Sequence, residues 1–443
     1  MPDRIARFFN LRRDEVLPVL LASGFFFCVL CALMMLRPAR DALGMQRGID
    51  EVRWLFIGTA LVTLLVNPVF GALVARLRRL HFISVTYAFF IASLCGFWTL
   101  LAFAPEQVGE RSGQVFYVWF SVFNLFVTMV FWALMADRFS SDQAKRFFAL
   151  IAVGGTLGAI FGPWLAAQLA EPFGTPSLLL VASLFLTLAI ASAWALVHIR
   201  PDQHPPSAGM ARVDVAAEEA TRIGGSAWAG IRAVSSSPYL AGIAGYVILM
   251  TIVATFIYFT RLQMVAASTS DLDARTALFG NIDLWTQIAV LLLQLTLTGR
   301  IIQRFGLGVA LALLPVAMAF GFIGLAVYGS FAVLILLEAT NRAFQRGLTR
   351  PAREALFTAV SREDKYKAKA FIDTFIYRAG DVAGAQTEGL LGRLGLALGG
   401  LASVVVPLAV VWAGLALWLG REQRRRVGLA LEPRREASDT RSD

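Results

Sequence analysis

The sequence predicts an all-α membrane protein: twelve transmembrane helices in two pseudo-symmetric six-helix bundles. Three observations predict it. The 443 residues are 57% hydrophobic and only 16% charged, with a mean hydropathy of +0.66, a balance foreign to soluble globular classes. Apolar runs near the ~20 residues that cross a ~30 Å hydrocarbon core recur along most of the chain. Landmarks of the first half return in the second at a nearly constant offset.

In chain order, residues 1–15 mix Arg4, Arg7, Arg12 and Arg13 with Ile5, Phe8, Phe9 and Leu11, the pattern of a short helix on the cytoplasmic leaflet. Span 1, Val16 to Leu36, is too long for a signal-peptide core and ends in RPARD instead of a small-residue cleavage site. It is kept as a true span, with no removal expected. Span 2 covers 53–74, with Asn67 and Pro68 inside it, and GALVARLRR from Gly71 to Arg79 makes a tight connection to span 3 (82–103). Span 4 (114–136) carries Asn124 and Thr128 one turn apart, and spans 5 and 6 follow at 147–170 and 177–199. Residues 200–237, with Pro201, Pro205 and Pro206, are a polar cytoplasmic linker between bundles at 16–199 and 238–420. Spans 7 to 12 are placed at 238–262, 275–298, 306–328, 331–350, 367–392 and 396–420, before a basic cytoplasmic tail at 421–443.

The repeat rests on three landmarks. Gly71 and Arg76, at the turn between spans 2 and 3, recur as Gly299 and Arg304 between spans 8 and 9, an offset of 228. Lys145 recurs as Lys369, and Arg37 as Arg261, at 224. The reading is two parallel halves of six spans.

A net charge of +10 does not point to nucleic acid. Lys and Arg gather in the N-terminus, the even-numbered loops and the tail, the bias of a chain with both ends in the cytoplasm. Arg424, Arg425 and Arg426 are expected to meet anionic lipid headgroups. Cys28, Cys31 and Cys95 lie inside apolar spans as packing residues, and His81, His198 and His204 form no metal cluster. GGTLGAIFG at 154–162 lacks the preceding strand and the following Lys-Ser or Lys-Thr of a phosphate loop, so Gly154, Gly158 and Gly162 are taken as a smooth packing face. With no catalytic motif, neither an enzyme nor a cofactor is expected; the partners are membrane lipid and a small-molecule solute, and the chain is taken as monomeric.

Function points to the stretch from Glu338 to Glu388. At roughly 2.5 to 3.5 kcal/mol for each charge at the centre of a membrane helix, Glu338, Arg342, Asp373, Arg378, Asp381 and Glu388 would together cost about 15 to 20 kcal/mol unless they face water or one another. In span 11, Asp373, Tyr377, Asp381, Gly384 and Glu388 share one face. That face either lines a translocation path or locks helices together by ion pairs with Arg378 and the arginines of span 10. In span 10, Glu338, Arg342 and Arg346 are spaced by four, with Arg346 snorkelling to the cytoplasmic interface. Arg342 and Arg378 are candidate ligands for an anionic substrate, or each satisfies a neighbouring carboxylate. Span 8 adds Asn281, Asp283 and Gln287, of which Asp283 is the functional candidate. Asp283, Glu338, Asp373, Asp381 and Glu388 are the candidates for ion or proton coupling. For Asn124, hydrogen bonding between helices competes with substrate contact. Gly71, Arg76, Lys145, Arg146, Arg304 and Lys369 mark candidate gating loops.

Twelve spans, a six-plus-six repeat and GALVARLRR between spans 2 and 3 resemble the major facilitator superfamily, with Gly71, Arg76, Arg78 and Arg79 matching its signature and Ala75 standing where that signature has an acid. LRPARDAL after span 1 and FWALMADRFSSDQAKRFF after span 4 are similar to the ATP/ADP translocase branch, at Arg37, Arg40, Asp41, Phe131, Trp132, Ala144, Lys145, Arg146 and Phe147. The resemblance implies nucleotide contact by a basic residue after span 1, here Arg40. Arg37, Asn124, Arg342 and Arg378 complete the candidate substrate site. The family's acidic residue in span 4 has no counterpart here.

The expectation is a secondary transporter in a bacterial inner membrane, moving an organic anion, a nucleotide among the candidates, by alternating access. A proton-coupled exporter of cationic or amphipathic compounds is the alternative, and a membrane receptor or assembly factor on the same fold is the alternative of another class.

Overall fold

The computed structural model describes residues 12–74, 79–199, 227–296, 304–396 and 398–439, and each regular element among them is a helix. The first six are α1 (Arg13–Gly44), α2 (Ile49–Val74), α3 (Arg79–Phe103), α4 (Glu106–Arg138), α5 (Ser141–Phe173) and α6 (Ser177–His198). A short α7 (Ala227–Ser236) precedes α8 (Pro238–Ser268), α9 (Leu272–Thr296) and α10 (Leu307–Tyr328). Then α11 (Phe331–Phe344) passes through a π-helical turn, Gln345–Thr349, into α12 (Arg350–Leu356). In the same way α13 (Arg362–Phe371) passes through a π-helical turn, Ile372–Ile376, into α14 (Tyr377–Arg393), and α15 is Leu398–Asp439.

Among the described residues nine helices are long and apolar enough to cross a bilayer, which agrees with a count of twelve without establishing it. The other three predicted spans fall on α2, on α11 with α12, and on α13 with α14. The last two spend their length on the charges singled out above, so their composition is the least lipid-like.

Local chemistry sets the ends. Ser140 caps α5, its hydroxyl accepting from the Gln143 backbone N–H at 3.3 Å while Gln143 Oε1 accepts from the Ser140 N–H at 3.2 Å. Between α10 and α11 the turn is two residues long: Gly329 takes φ 55°, its N–H donating to the Leu325 carbonyl at 2.8 Å, and Ser330 then caps α11. Such short turns force consecutive helices to run antiparallel.

The helices gather into two compact units, Met1–Ala208 with Leu262–Ile288, and Gly209–Arg261 with Ala289–Asp443. In the first unit, rings fill the space between α1, α3 and α4: Phe26 stacks on Phe131 at 4.2 Å and Phe90 meets Phe123 edge-on at 5.1 Å. The buried Tyr87 hydroxyl donates to the Val127 carbonyl at 3.1 Å, so that group is satisfied inside the core.

Lipid tails are as apolar as leucine, so helices in a bilayer associate through close backbone packing. The glycine face of α5 provides it. Added Cβ atoms at Gly154, Gly158 and Gly162 would run into the carbonyl oxygens of Ser23, Phe27 and Cys31 on α1, the last at 2.5 Å. In the second unit α14 meets α8 the same way: a Cβ at Gly384 would lie 2.9 Å from Thr255 Cβ and 3.0 Å from Ile252 Cα, and one at Gly380 would strike Thr251. Span 1 with span 5 and span 7 with span 11 are thus the same seam, built once in each unit. Gly154 and Gly158 correspond to Gly380 and Gly384 at an offset of 226, and Gly162 then corresponds to Glu388, which is 1% exposed. A further seam joins α10 to α15, where a Cβ at Gly420 would sit 2.5 Å from the Gly308 nitrogen.

Candidate functional site

Arginines along α11 and α12 fall at 342, 346, 350 and 353, steps of four, four and three that keep them near one face. Glu338, one turn before the first, accepts from Arg342 Nη2 at 2.5 Å and from Arg261 Nη1, at the far end of α8, at 3.4 Å. All three are withdrawn from solvent, with side-chain exposures of 0% for Arg261, 7% for Glu338 and 12% for Arg342. One carboxylate therefore holds two buried guanidiniums, an arrangement that fixes α8 against α11.

Beyond this cluster the second unit opens into a cavity of about 490 Å³, within the range of small-molecule sites. Arg346, Arg350, Arg353, Lys369 and Arg378 line it, against two carboxylates, Glu354 and Asp373, with Thr349, Gln345 and Tyr377 adding polar groups. Five cations facing two anions leave a surplus of three positive charges. Both π-helical turns border this space, one carrying Arg346 and the other Asp373. A π turn inserts extra chain into a helix and re-aims the side chains beyond it, and such turns concentrate at functional sites. Arg353 Nη2 lies 3.0 Å from Asp373 Oδ1, Lys369 Nζ lies 2.6 Å from Glu354 Oε2, and Arg378 Nη1 donates to Asp381 Oδ2 at 3.3 Å. Among the described residues Arg346 and Arg350 have no carboxylate within ion-pair reach.

In the first unit Arg37, near the end of α1, lies 3.8 Å from Asp283 of α9, a carboxylate only 1% exposed. Arg37 and Arg261, repeat partners in the sequence, thus each face a buried acid in their own unit. Arg40 bonds the neighbouring Asp41 and lays its guanidinium over the rings of Tyr117 and Phe120, at 4.9 and 5.1 Å. The start of α9 is bound further where Asp273 Oδ1 accepts from the Thr175 N–H at 2.6 Å and the Thr175 hydroxyl meets that of Thr276 at 2.8 Å. Asn124 is exposed on α4, its backbone carbonyl accepting from Thr128. Arg146 donates to both oxygens of Glu15, at 2.8 and 3.2 Å. Arg304 is exposed, 5.7 Å over Phe305. Arg76 lies outside the described residues, and so do the surroundings of Gly71 and the side chain of Lys145.

Of the residues the sequence singles out, Asp373, Arg378 and Lys369 come together at one cavity, Arg342 with Glu338 at the adjacent cluster, and Arg37 with Asp283 in the first unit. Arg350 and Arg353 are additions that sequence reasoning missed. Their signal was the unbroken arginine spacing past residue 346. Lys369 is a useful control on how these charges act: Lys369 and Glu354 are 34% and 41% exposed, so Lys369→Gln should cost less than about 1 kcal/mol of stability in denaturant unfolding of the detergent-solubilised protein.

A family model described as "Major Facilitator Superfamily" matches residues 19–340. A protein named "ADP,ATP carrier protein 1" from Chlamydia trachomatis serovar D is 25% identical over 345 residues, covering 69% of this chain and 64% of that relative. One of the same name from Chlamydia pneumoniae is 22% identical and is matched over 90% of this chain and 89% of its own length. Among solved structures, a bacterial homolog to the human lysosomal transporter Spinster, inward-facing and unoccupied, superposes with a TM-score of 0.60 at 11% identity over 94% of this chain and 98% of that one. The nucleoside transporter NupG does so with a TM-score of 0.56 at 13% identity over 94% and 99%.

Proposed function

The chain belongs to the Major Facilitator Superfamily, and on that footing we propose that it is a secondary transporter of a small organic anion, a nucleotide foremost, working by alternating access in a bacterial inner membrane with both termini cytoplasmic. The observation that carries the reading is the cavity of the second unit, whose five cations outnumber its two carboxylates. Arginine presents a planar fork of donors matched to carboxylate and phosphate oxygens, and a cleft lined by one sign of charge with low-dielectric walls strengthens its pull on an anion. The names of the chlamydial relatives favour a nucleotide. An exporter of cations finds less support, because Asp373 and Asp381 are each engaged by an arginine.

The test is counterflow in vesicles loaded with nucleotides and other organic anions, with and without a pH gradient. Wild-type protein is expected to exchange an anion. Arg346→Gln combined with Arg350→Gln should raise the concentration for half-maximal flux roughly tenfold or more, the worth of a lost charge-assisted hydrogen bond. Flux of cations alone, or a double variant with wild-type kinetics, would sink the reading.

A further inference from the structure

The cationic cavity carries anions of its own. Glu354 sits on Lys369 and Asp373 on Arg353, while Arg346 and Arg350 face the same space without a carboxylate among the described residues. The hold on Arg353 is partial. Asp373 reaches its Nη2, whereas its buried Nε–H has no hydrogen-bond partner. Neither carboxylate is locked in place, since the side chains of Glu354 and Asp373 are 41% and 33% exposed.

We propose that Asp373 and Glu354 are tethered competitors for the transported anion: they occupy Arg353 and Lys369 when the cavity is empty, and yield those cations when substrate enters. This rests on the cavity being the anion site. Five cations without resident counter-charge would bind a polyanion tightly, and tight binding is expressed mainly as slow departure. A carboxylate on the same protein competes at high effective concentration, because it never diffuses away. The Lys369–Glu354 pair is well exposed, and such pairs are weak; Arg353 is only 12% exposed, but Asp373 holds it through one nitrogen and is itself 33% exposed, so exchanging either protein carboxylate for a substrate oxygen costs little. Asp373 lies within the π-helical turn Ile372–Ile376, while Glu354 belongs to α12, directly after the other π-helical turn. Each competitor is therefore carried at or beside an irregular turn of its helix. The two side chains are specificity-setting residues that trade affinity for turnover.

The experiment uses the full-length protein, with ATP and inorganic pyrophosphate as binding probes in detergent and ATP exchange measured in vesicles. Asp373→Asn should bind both probes about two- to fivefold more tightly, the equivalent of one weak ion pair no longer competing, while maximal exchange falls. Glu354→Gln should shift both quantities in the same directions, and serves if the first variant does not fold. A merely structural role would lower exchange without tightening binding. Arg350→Gln separates the two levels of inference. If it weakens binding while Asp373→Asn and Glu354→Gln leave affinity unchanged or weaker, the cavity binds anions and the competitor proposal is overturned. If wild type binds neither probe and Arg350→Gln changes nothing, the anion site and the competitors fall together.

Discussion

Glu338→Gln is expected to destabilise the second unit by about 3 to 5 kcal/mol, the cost of removing one partner from a buried ion pair. The size reflects the charges left behind. Arg261 is wholly buried and Arg342 nearly so, and both point at the same carboxylate oxygen. Glutamine keeps the shape and one acceptor but no charge, so two guanidiniums would face each other across a neutral amide in a low-dielectric interior. Arg342→Gln should cost less, because Glu338 still answers Arg261. Replacing the buried pair together, Arg261→Met with Glu338→Leu, should cost less than Glu338→Gln alone, since the one charge then left over, on Arg342, is the least buried of the three. Denaturant unfolding of the detergent-solubilised protein ranks the three variants. A Glu338→Gln protein within about 1 kcal/mol of wild type would show that the cluster does not hold buried charge.

The cluster also shows where the sequence stops being informative. That Arg37 and Arg261 are repeat partners is visible in their spacing, and so is the presence of charges in spans 10 and 11. Which acid each arginine takes is not visible, because Asp283 and Glu338 reach their partners through helix packing that no local pattern encodes. The glycine face of span 5 was legible for a physical reason: 154, 158 and 162 repeat at four, the step that brings successive residues to one side of a helix. The cavity was legible only in part. The hydropathy of span 10 predicts an end at Arg350, yet the helix continues through Pro351, which lies in the first turn of α12 just after the π-helical turn, where a residue without an N–H is tolerated. Two of the cavity's five cations, Arg350 and Arg353, come from the end of that span and its continuation. The π-helical turns that carry Arg346 and Asp373 leave no signature in residue type, because they depend on how each helix packs and not on its own sequence.

Gly158→Leu should prevent the first unit from forming a stable fold. Even an alanine there would bring its Cβ onto the Phe27 carbonyl and within 3.1 Å of the Cys31 nitrogen, and these are backbone atoms that no rotamer change can move. Overpacking of a core costs about 1 to 3 kcal/mol when side chains absorb the strain. Here α1 and α5 would have to separate, which loosens the contacts at Gly154 and Gly162 as well, so leucine should exceed that range. Gly24, on α1 itself, supplies the control: a Cβ there meets nothing within 4 Å, so Gly24→Ala should match or slightly exceed wild type by removing backbone freedom from the unfolded chain. Size-exclusion homogeneity and protease resistance after solubilisation distinguish the two variants. The comparison reaches function through the repeat, because α14 uses the same seam against α8 and carries Asp381 between its two packing glycines. Gly384→Leu should therefore disturb the Arg378–Asp381 pair beside the cavity, whereas the charged pair of the α1–α5 seam, Arg146 with Glu15, lies about three helical turns from Gly158. If both variants fold and exchange like wild type, close glycine packing is not what holds either helix pair together.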